Sequence, residues 1–416
     1  MFIKNKSFKL EIKIIFILIK IYFIIITLFL NDKTISNIKF IFFYFRTKFE
    51  VNNFKSYYNF CNENTKIIKD FKKSNNIKVS IISPIHNREK FLLTFLKSIQ
   101  FQDFKDIEII LVDDKSTDNG INIIEEYIKK DKRIKLIKNK KNKGTFVARN
   151  IGVLSSKGKY IMIPDPDDIL SQDIIKNCYN YAEKYNYDVI KFRSYSRNRI
   201  NINDYYYKFE NRPIYQPELS TFVFYDNNEL RIRDYVIHNK FVKREIFIKV
   251  INSLNSFYSN MYITLGEDTL IFYLILRKAN SFYFLKKVGY YYIRSSESIC
   301  ANLFKITDLR MKFSFIFLKC FFENSRNTKY EKDIVNHIIG SNLESQLLSS
   351  PFNDNFYFYY DIINMLLDCT YIENNNIYIL KKYKKIIENK NQTYVKLLKK
   401  IEFNNTLNSL NKTKIK

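Results

Sequence analysis

Apolar runs and amphipathic segments alternate through the first half of the chain. Four apolar runs have the length of buried strands, namely residues 78–85, 107–114, 133–139 and 159–163. Three segments between them place apolar side chains at helical spacing, namely residues 89–100, 121–129 and 145–156. Strands that alternate with helices in this way predict a parallel sheet with helices packed on its faces.

Polar residues follow the predicted strands at the points where the strands end. They are residues 86–88, Asp113 with Asp114, residues 142–144 and residues 165–168. Ligands of parallel sheets bind outside the carboxyl ends of the strands. We therefore expect these polar residues to line one cleft.

The sequence Asp165-Pro166-Asp167-Asp168 places three carboxylates directly after the fourth predicted strand. Carboxylate oxygens suit Mg²⁺ or Mn²⁺, which usually share their coordination with a substrate phosphate. Taken alone, the cluster is equally consistent with a solvated acidic turn or a helix start. The strands and helices that precede it favour a metal-binding site.

Three stretches resemble the family 2 glycosyltransferases, whose nucleotide-sugar domain has the GT-A fold. They are "VSIISPIHNREKFLLTFLKSIQFQDFKDIEIILVDDKSTDNG", "NKGTFVARNIGVLSSKGKYIMIPDPDD" and "GEDTLIFYLIL", in the family's order and spacing. The resemblance extends over about residues 78–300. It implies an α/β fold of the Rossmann-like GT-A class, with a mixed, mainly parallel sheet flanked by helices.

The resemblance also implies roles for individual residues. A nucleotide-sugar would contact residues at several strand ends, namely Pro84, Asn87, Asp113, Asp114, Arg149 and Asp165. Asp165 and Asp167 match the family's Asp-x-Asp element, so both are expected metal ligands, and Asp167 in particular is expected to bind a Mn²⁺ or Mg²⁺ ion that bridges two phosphates. Asp168 is a close alternative ligand. His86 occupies a position that is usually Tyr in the family, and its role is open.

Glu267 and Asp268 match the acidic pair that supplies the family's catalytic base, and Asp268 is our candidate for it. A carboxylate can remove the proton of a sugar hydroxyl as that hydroxyl attacks. The resemblance therefore implies metal-dependent, inverting transfer from a nucleotide-diphosphate sugar, with UDP as the expected carrier. Without the resemblance, both acids would be interpreted as a helix start.

Two further segments resemble parts of the family site less closely. "IHNKFVKREIF" resembles the segment beside the acceptor, where His238 and Lys240 would touch acceptor or diphosphate. For His238 we favour a structural hydrogen bond over this role. In "YYYIRSSES", Arg294 is the expected diphosphate contact, and an aromatic strand with an exposed rim is the alternative.

Composition narrows the function classes. The 416 residues are 46% hydrophobic, enough for one catalytic core with extensions. The net charge of +27 would ordinarily favour nucleic-acid binding. Lys is spread along the whole chain and no nucleic-acid motif accompanies it, so we predict no nucleic-acid partner. Five widely spaced cysteines do not form a metal site.

An apolar run at residues 14–30, broken only by Lys20 and Thr27, predicts a membrane anchor. Its length lies at the short end of the roughly 17–25 residues that span a bilayer. Four preceding lysines favour a cytosolic N-terminus, hence a single-pass type II protein of the Golgi or ER lumen. Basic residues also follow the run, so a cytosolic catalytic face is the alternative. A cleaved signal peptide is disfavoured by the bulky residues after the run.

We predict four regions: a tail and anchor at 1–31, a stem at 32–76, the GT-A domain at 77–300 and a helical extension at 301–416. The acceptor, whether glycan, lipid or protein, is not readable. A nucleotidyltransferase is an alternative function, although "SPIHNREK" lacks the Gly-rich phosphate loop that such enzymes use. A catalytically silent, nucleotide-sugar-binding membrane protein is the other alternative.

Overall fold

The computed structural model describes residues 55–62, 70–196, 199–200, 213–216, 219, 225–226, 229–230, 236–254, 262, 267–293, 336, 363–368 and 372–390. The chain divides into two compact units, Met1–Phe60 and Cys61–Lys416. In the first unit only residues 55–60 are described, and they are helical. The sheet, its helices and the candidate site belong to the second unit.

One mixed sheet organises the second unit. Its described strands are β1 (Val79–Ile85), β2 (Ile107–Asp113), β3 (Ile134–Lys138), β4 (Tyr160–Met162), β5 (Ile169–Leu170), β6 (Val189–Ser196), β7 (Arg199–Ile200), β8 (Ile214–Tyr215), β11 (Lys240–Lys243) and β12 (Ser281–Tyr292). A separate pair is formed by β9 (Tyr225–Asp226) and β10 (Glu229–Leu230).

The described helices are α1 (Glu89–Gln100), α2 (Gly120–Lys130), α3 (Thr145–Leu154), α4 (Ile174–Tyr185), α5 (Arg244–Ser253), α6 (Glu267–Lys278) and α7 (Asn374–Lys390). The first four strands and first three helices confirm the predicted alternation. Their ends differ from the predicted ones by at most two residues.

The strand order is β3-β2-β1-β4-β11-β6-β12-β5, with β7 beside β6 and β8 beside β12. The pairs among β1, β2, β3 and β4 are all parallel. Beyond β4 the sheet is mixed, because β11 runs antiparallel to both of its neighbours. The predicted parallel sheet is thus confirmed for the first half. The sheet as a whole is mixed, as expected, and β6 and β12 in its second half pair in parallel.

Side chains alternate between two buried clusters, one on each face of the sheet. In β1, Val79 and Ile81 belong to one cluster and Ile82 to the other, as expected for a strand buried on both faces. Helices α1, α2 and α4 cover the first face, and α3, α5 and α6 cover the second. Residues of the C-terminal region join the second cluster, namely Ile363, Leu366, Ile372, Ile379 and Leu380.

The predicted anchor at residues 14–30 lies outside the described residues. Among the helices that the structure does describe, none combines the length and apolar character needed to cross a bilayer.

The turn that leads into β4 allows no side chain at Gly158. A Cβ atom there would lie 2.5 Å from the backbone nitrogen of Ser80 in β1. The Gly158 amide also donates a hydrogen bond of 2.9 Å to Ser80 Oγ. This close contact fixes the position of β4 along β1. It therefore also fixes the position of the acidic residues that follow β4.

We expect Gly158→Ala to lower the free energy of unfolding by about 1–3 kcal/mol, because the β1 backbone must move to admit the methyl group. Lys157→Ala is the matched control, since Lys157 is exposed and adjacent; its effect should stay within about 0.5 kcal/mol. Urea unfolding of both variants measures the difference. Equal effects would contradict a steric role for Gly158.

Candidate active site

The carboxyl ends of β1, β2 and β4 meet at one edge of the sheet. Ile85 at the end of β1 lies opposite Asp113 at the end of β2. The segment that carries Asp165 follows β4, which pairs with β1 on its other side. The structure therefore brings together three of the four polar clusters that the sequence placed at strand ends. The fourth, residues 142–144, joins them through contacts with His86 and Asp114.

Asp114 organises the loop that precedes α3. Its Oδ1 accepts hydrogen bonds from Asn139 Nδ2 (2.8 Å) and the Lys143 amide (2.9 Å), and its Oδ2 accepts one from the Gly144 amide (2.7 Å). Gly144 has φ 86°, a conformation that favours glycine. Asp114 was predicted to bind the nucleotide-sugar, and in this geometry its carboxylate holds the loop.

His86 is fixed in one tautomer by its neighbours. Its Nδ1 lies 3.0 Å from the Asp114 carbonyl oxygen, which can only accept, so Nδ1 carries the proton. Nε2 then accepts from Asn142 Nδ2 at 3.2 Å. His86 therefore joins the end of β1 to the loop that Asp114 holds, which gives a structural role to a residue whose role was open.

Asn87 joins the end of β1 to the loop after β2, and Asp113 holds the start of that loop. Asn87 Oδ1 accepts from the Thr117 amide at 2.8 Å, and Asp113 Oδ1 accepts from the Ser116 amide at 2.9 Å. Asn87 has φ 51°, which Asn tolerates better than most residues. Pro84, also predicted to lie along the nucleotide, is buried within β1 opposite Val112.

Arg149 joins the two acidic clusters. It is 3% exposed and lies on α3. Its Nη2 donates to Asp165 Oδ1 at 2.9 Å, and its Nη1 donates to Glu267 Oε1 at 3.1 Å and also to Asp268 Oδ1. The resemblance placed Arg149 near the base or phosphates; the structure places its guanidinium among the candidate catalytic acids.

Glu267 and Asp268 open α6 and differ in their environment. The Glu267 side chain is 8% exposed and the Asp268 side chain is 18% exposed. Burial raises the pKa of Glu267 to about 7, although Arg149 opposes the shift. Asp268 is therefore the member of the pair with the better access to the cleft.

The acids after β4 fall into two groups. Asp165 is 26% exposed, and its Oδ2 lies 3.7 Å from His238 Nδ1. Asp167 is 18% exposed, and its Oδ2 lies 3.6 Å from Arg88 Nε. Burial, and then the charge of Asp165, raise the pKa of Asp167 to about 6. These two carboxylates are partly exposed at the carboxyl edge of the sheet, where the sequence predicts the cleft.

Asp168 is an internal residue. It is 1% exposed, and burial raises its pKa well above the usual range. Its Oδ2 accepts from the Tyr290 hydroxyl at 2.6 Å and its Oδ1 from the Ile293 amide at 2.7 Å. Both oxygens thus have protein donors, whereas the sequence predicted Asp168 as an alternative metal ligand.

Tyr290 was not among the predicted site residues. It stands in the Tyr-rich run 290–292, and the sequence offers no signal that separates it from its neighbours. His238, which we had favoured as a structural residue, stacks on the Tyr290 ring with centroids 4.2 Å apart. Lys240 is buried, and its Nζ donates to the Val236 carbonyl at 2.8 Å. Arg294 lies outside the described residues.

The donor set fits a hard divalent cation that is completed by substrate. Within the described ranges, no group of three or more Asp, Glu, His or Cys side chains could hold a metal ion by itself. Asp165 and Asp167 nevertheless present partly exposed carboxylate oxygens on one turn. Mg²⁺ is commonly bound by one or two carboxylates together with substrate phosphates.

Comparison with known proteins identifies the domain that carries Arg149 and the acids after β4. Residues 80–251 match the model of glycosyl transferase family 2. The chain therefore contains a glycosyl transferase family 2 domain, as the sequence motifs implied.

Curated relatives match the same part of the chain. Glycosyltransferase GlyG of Streptococcus pneumoniae serotype 4 is 34% identical over 129 residues, which are 31% of this chain and 43% of GlyG. An uncharacterized glycosyltransferase of Haemophilus influenzae is 42% identical over 103 residues, 25% of this chain and 41% of the relative. The chain thus matches less than half the length of these relatives.

Solved structures share the fold. The crystal structure of S. aureus TarS 1–349 in complex with UDP-GlcNAc has a TM-score of 0.53 at 20% identity, and the match covers 69% of this chain and 81% of TarS 1–349. The structure of S. aureus TarS has the same TM-score at 17% identity and covers 76% of this chain and 54% of that one. These similarities support a GT-A-like mixed sheet flanked by helices.

The raised pKa of Glu267 predicts a pH-dependent stability. Its ordinary pKa of 4.5 rises to about 7 on folding, so between these values the folded state binds more protons than the unfolded state. The free energy of unfolding should therefore fall as the pH rises through this interval. Glu267→Gln removes this contribution, which we expect to be on the order of 1–3 kcal/mol.

Urea unfolding of wild type and Glu267→Gln at about pH 5 and about pH 7.5 tests this prediction. The wild type should lose stability relative to the variant at the higher pH. Glu245→Gln, an exposed acid in the first turn of α5, serves as the control and should give no such difference. If the wild type instead became more stable relative to Glu267→Gln as the pH rises, the raised pKa of Glu267 would be contradicted.

Proposed function

We propose that this protein transfers a sugar from a nucleotide-diphosphate sugar, with UDP as the carrier, to an acceptor hydroxyl. One observation carries the proposal. Arg149 draws the acidic turn after β4 and the acidic start of α6 to one point at the carboxyl edge of the sheet. This occurs within a fold that contains a glycosyl transferase family 2 domain. Such a site has the groups needed to bind a diphosphate and to remove a proton.

Asp268 is the proposed catalytic base. As the acceptor oxygen attacks the anomeric carbon, its proton passes to the Asp268 carboxylate. The bond between that carbon and the phosphate oxygen breaks, and its electron pair leaves with the nucleoside diphosphate. Attack from the side opposite the leaving group inverts the anomeric configuration. Asp268 suits this role better than Glu267 because its side chain is more exposed, 18% against 8%.

Asp165 and Asp167 are proposed to hold a Mn²⁺ or Mg²⁺ ion with the donor diphosphate. The described cleft has four carboxylates, from Asp165, Asp167, Glu267 and Asp268, near two guanidinium groups, from Arg149 and Arg88. The excess negative charge supports a cation there. When bound, the cation stabilises negative charge on the departing diphosphate.

Arg149 is proposed to keep the acids close together in the absence of substrate. Like charges at this distance repel, and a buried guanidinium that contacts each of them reduces the repulsion. Arg294 is proposed as an additional diphosphate contact, on the sequence resemblance alone. Asp113 and Asn87 are proposed to line the nucleotide pocket at the ends of β2 and β1.

The TarS structure supports a UDP-sugar as donor, because its complex with UDP-GlcNAc shares this fold. The acceptor is a glycan, lipid or protein hydroxyl. We also propose, from the apolar run at residues 14–30, that the enzyme is anchored in a membrane, with its catalytic domain in the Golgi or ER lumen or on the cytosolic face.

The two alternative functions are less well supported. A nucleotidyltransferase is disfavoured by the family 2 match and by the absence of glycine between β1 and α1. A silent binding protein would not need the acidic start of α6 beside Asp165, yet Arg149 holds both there.

Asp268→Asn tests the base. An amide cannot accept the acceptor proton, so we expect the transfer rate to fall by about 10²–10⁴-fold. The affinity for UDP should stay within about twofold, since the base acts only during transfer. Asp103→Asn is the control, because Asp103 is exposed in the loop between α1 and β2, away from the strand ends that form the site. Unchanged transfer by Asp268→Asn would remove Asp268 as the base.

A donor panel tests the reaction. The full chain is incubated with UDP- and GDP-sugars, and release of the nucleoside diphosphate is measured with Mn²⁺ and with a chelator. We expect one UDP-sugar to turn over, and the chelator to abolish turnover because the leaving diphosphate is then unshielded. Turnover that is undiminished by chelation would contradict metal dependence while preserving the transferase assignment.

A further inference from the structure

Residues 165–168 form a turn after β4, called the acidic turn below. Asp168 and Tyr290 join this turn to strand β12. The Tyr290 hydroxyl donates to Asp168 Oδ2 at 2.6 Å and accepts a hydrogen bond from the Asp165 amide at 3.1 Å. The Asp168 amide in turn donates to the Asp165 carbonyl oxygen at 3.2 Å. One phenolic oxygen therefore fixes both ends of the turn that carries Asp167.

The position of this hydroxyl is itself tightly determined. The Tyr290 side chain is fully buried, and His238 stacks on its ring at an interplanar angle of 17°. Its backbone pairs with Ser194 of β6 on one side and with Leu170 of β5 on the other. The ring cannot rotate away without disturbing the sheet, so Tyr290 is a rigid support for the turn.

The exit from the acidic turn is held by the same strand. β5 begins directly after Asp168 and pairs with β12 through Ile169 and Leu170. Asp168 Oδ1 also accepts from the Ile293 amide at 2.7 Å, just beyond the end of β12. The turn is thus supported by β4 before it and by β12 behind it, and only Asp165 and Asp167 are left to face the cleft.

We propose that Tyr290 and Asp168 are positioning residues that set the carboxylates of Asp165 and Asp167 for the donor diphosphate and its divalent cation, and that Asp168 does not contact that cation. This inference rests on the proposed function. It assigns the three adjacent acids to two tasks: Asp165 and Asp167 bind, and Asp168 carries the hydrogen bonds that hold them in place.

Mn²⁺ binding in the presence of UDP, followed by the electron paramagnetic resonance of free Mn²⁺, tests the assignment without relying on turnover. Tyr290→Phe keeps the ring and removes both hydrogen bonds of the hydroxyl. We expect the Mn²⁺ affinity to fall about tenfold, because the buried hydrogen bond to the Asp168 carboxyl group is lost and the turn is released.

Tyr160→Phe is the matched control. Tyr160 is a buried tyrosine of the same sheet whose hydroxyl donates to the Glu183 carboxylate at 2.8 Å, away from the acidic turn. This variant also loses a tyrosine–carboxylate hydrogen bond, but only one, and to the partly exposed Glu183. Its thermal stability should therefore fall, by less than in Tyr290→Phe, while its Mn²⁺ affinity stays at the wild-type value. Equal Mn²⁺ affinities for the two variants would overturn the positioning role.

A second pair of variants separates support from coordination. Asp168→Asn keeps an oxygen for the Ile293 amide but replaces the oxygen that accepts from the Tyr290 hydroxyl with an amide donor. Its Mn²⁺ affinity should therefore fall by at most about tenfold, as in Tyr290→Phe. Asp167→Asn removes a proposed ligand and should lose about a hundredfold or more. A loss in Asp168→Asn as large as that in Asp167→Asn would make Asp168 a ligand and overturn the inference.

The wild-type protein separates this inference from the proposed function. If the wild type binds Mn²⁺ in the presence of UDP and Tyr290→Phe binds it with the same affinity, the positioning role is overturned and the proposed transferase function is not affected. A wild type that binds neither UDP nor Mn²⁺ would overturn both.

Discussion

A single buried guanidinium holds the candidate active site together. Burial alone would lower the pKa of Arg149, but Asp268, Asp165 and Glu267 outweigh that effect and raise it, so the side chain stays charged. A buried charge without partners would cost several kcal/mol, and carboxylates packed without a cation would repel one another. The carboxylates therefore offset the cost of burying the Arg149 charge, and Arg149 offsets the repulsion among the carboxylates. Arg149 and Glu267 are 118 positions apart in the sequence, so this contact also ties α6 to α3.

The aspartates of the site have the same chemistry but different surroundings. Asp114 and Asp168 are almost fully buried and accept hydrogen bonds from loops and strand ends. Asp165 and Asp167 are partly exposed at the cleft. The buried pair fixes the backbone that carries the exposed residues and the start of α3. A rigid backbone is what a diphosphate site requires, because small displacements of binding groups reduce the rate steeply.

The comparisons and the contacts cover different parts of the site. The family match ends at residue 251, before the acidic start of α6 and before Tyr290 in β12. The fold similarity to TarS extends over 69% of the chain without indicating which side chains act. The contacts of Arg149 and Tyr290 connect the matched domain to the later elements. The role of Tyr290 therefore depends on side-chain geometry, whereas Asp268 comes from the sequence resemblance and is supported by its greater exposure.

The sequence by itself determined the first half of the fold and the identity of most acids in the site. Apolar periodicity is a local property, and it located β1 to β4 and α1 to α3 to within two residues. Only the tertiary structure decided which acids face the cleft, because exposure depends on residues distant in sequence. Asp167 and Asp168 are neighbours in the chain, yet Tyr290, 122 positions after Asp168, makes one of them internal. The position of the antiparallel β11 between β4 and β6 could not be predicted from the sequence either. Strand pairing depends on packing between residues that are distant in the chain, and a local pattern does not contain that information.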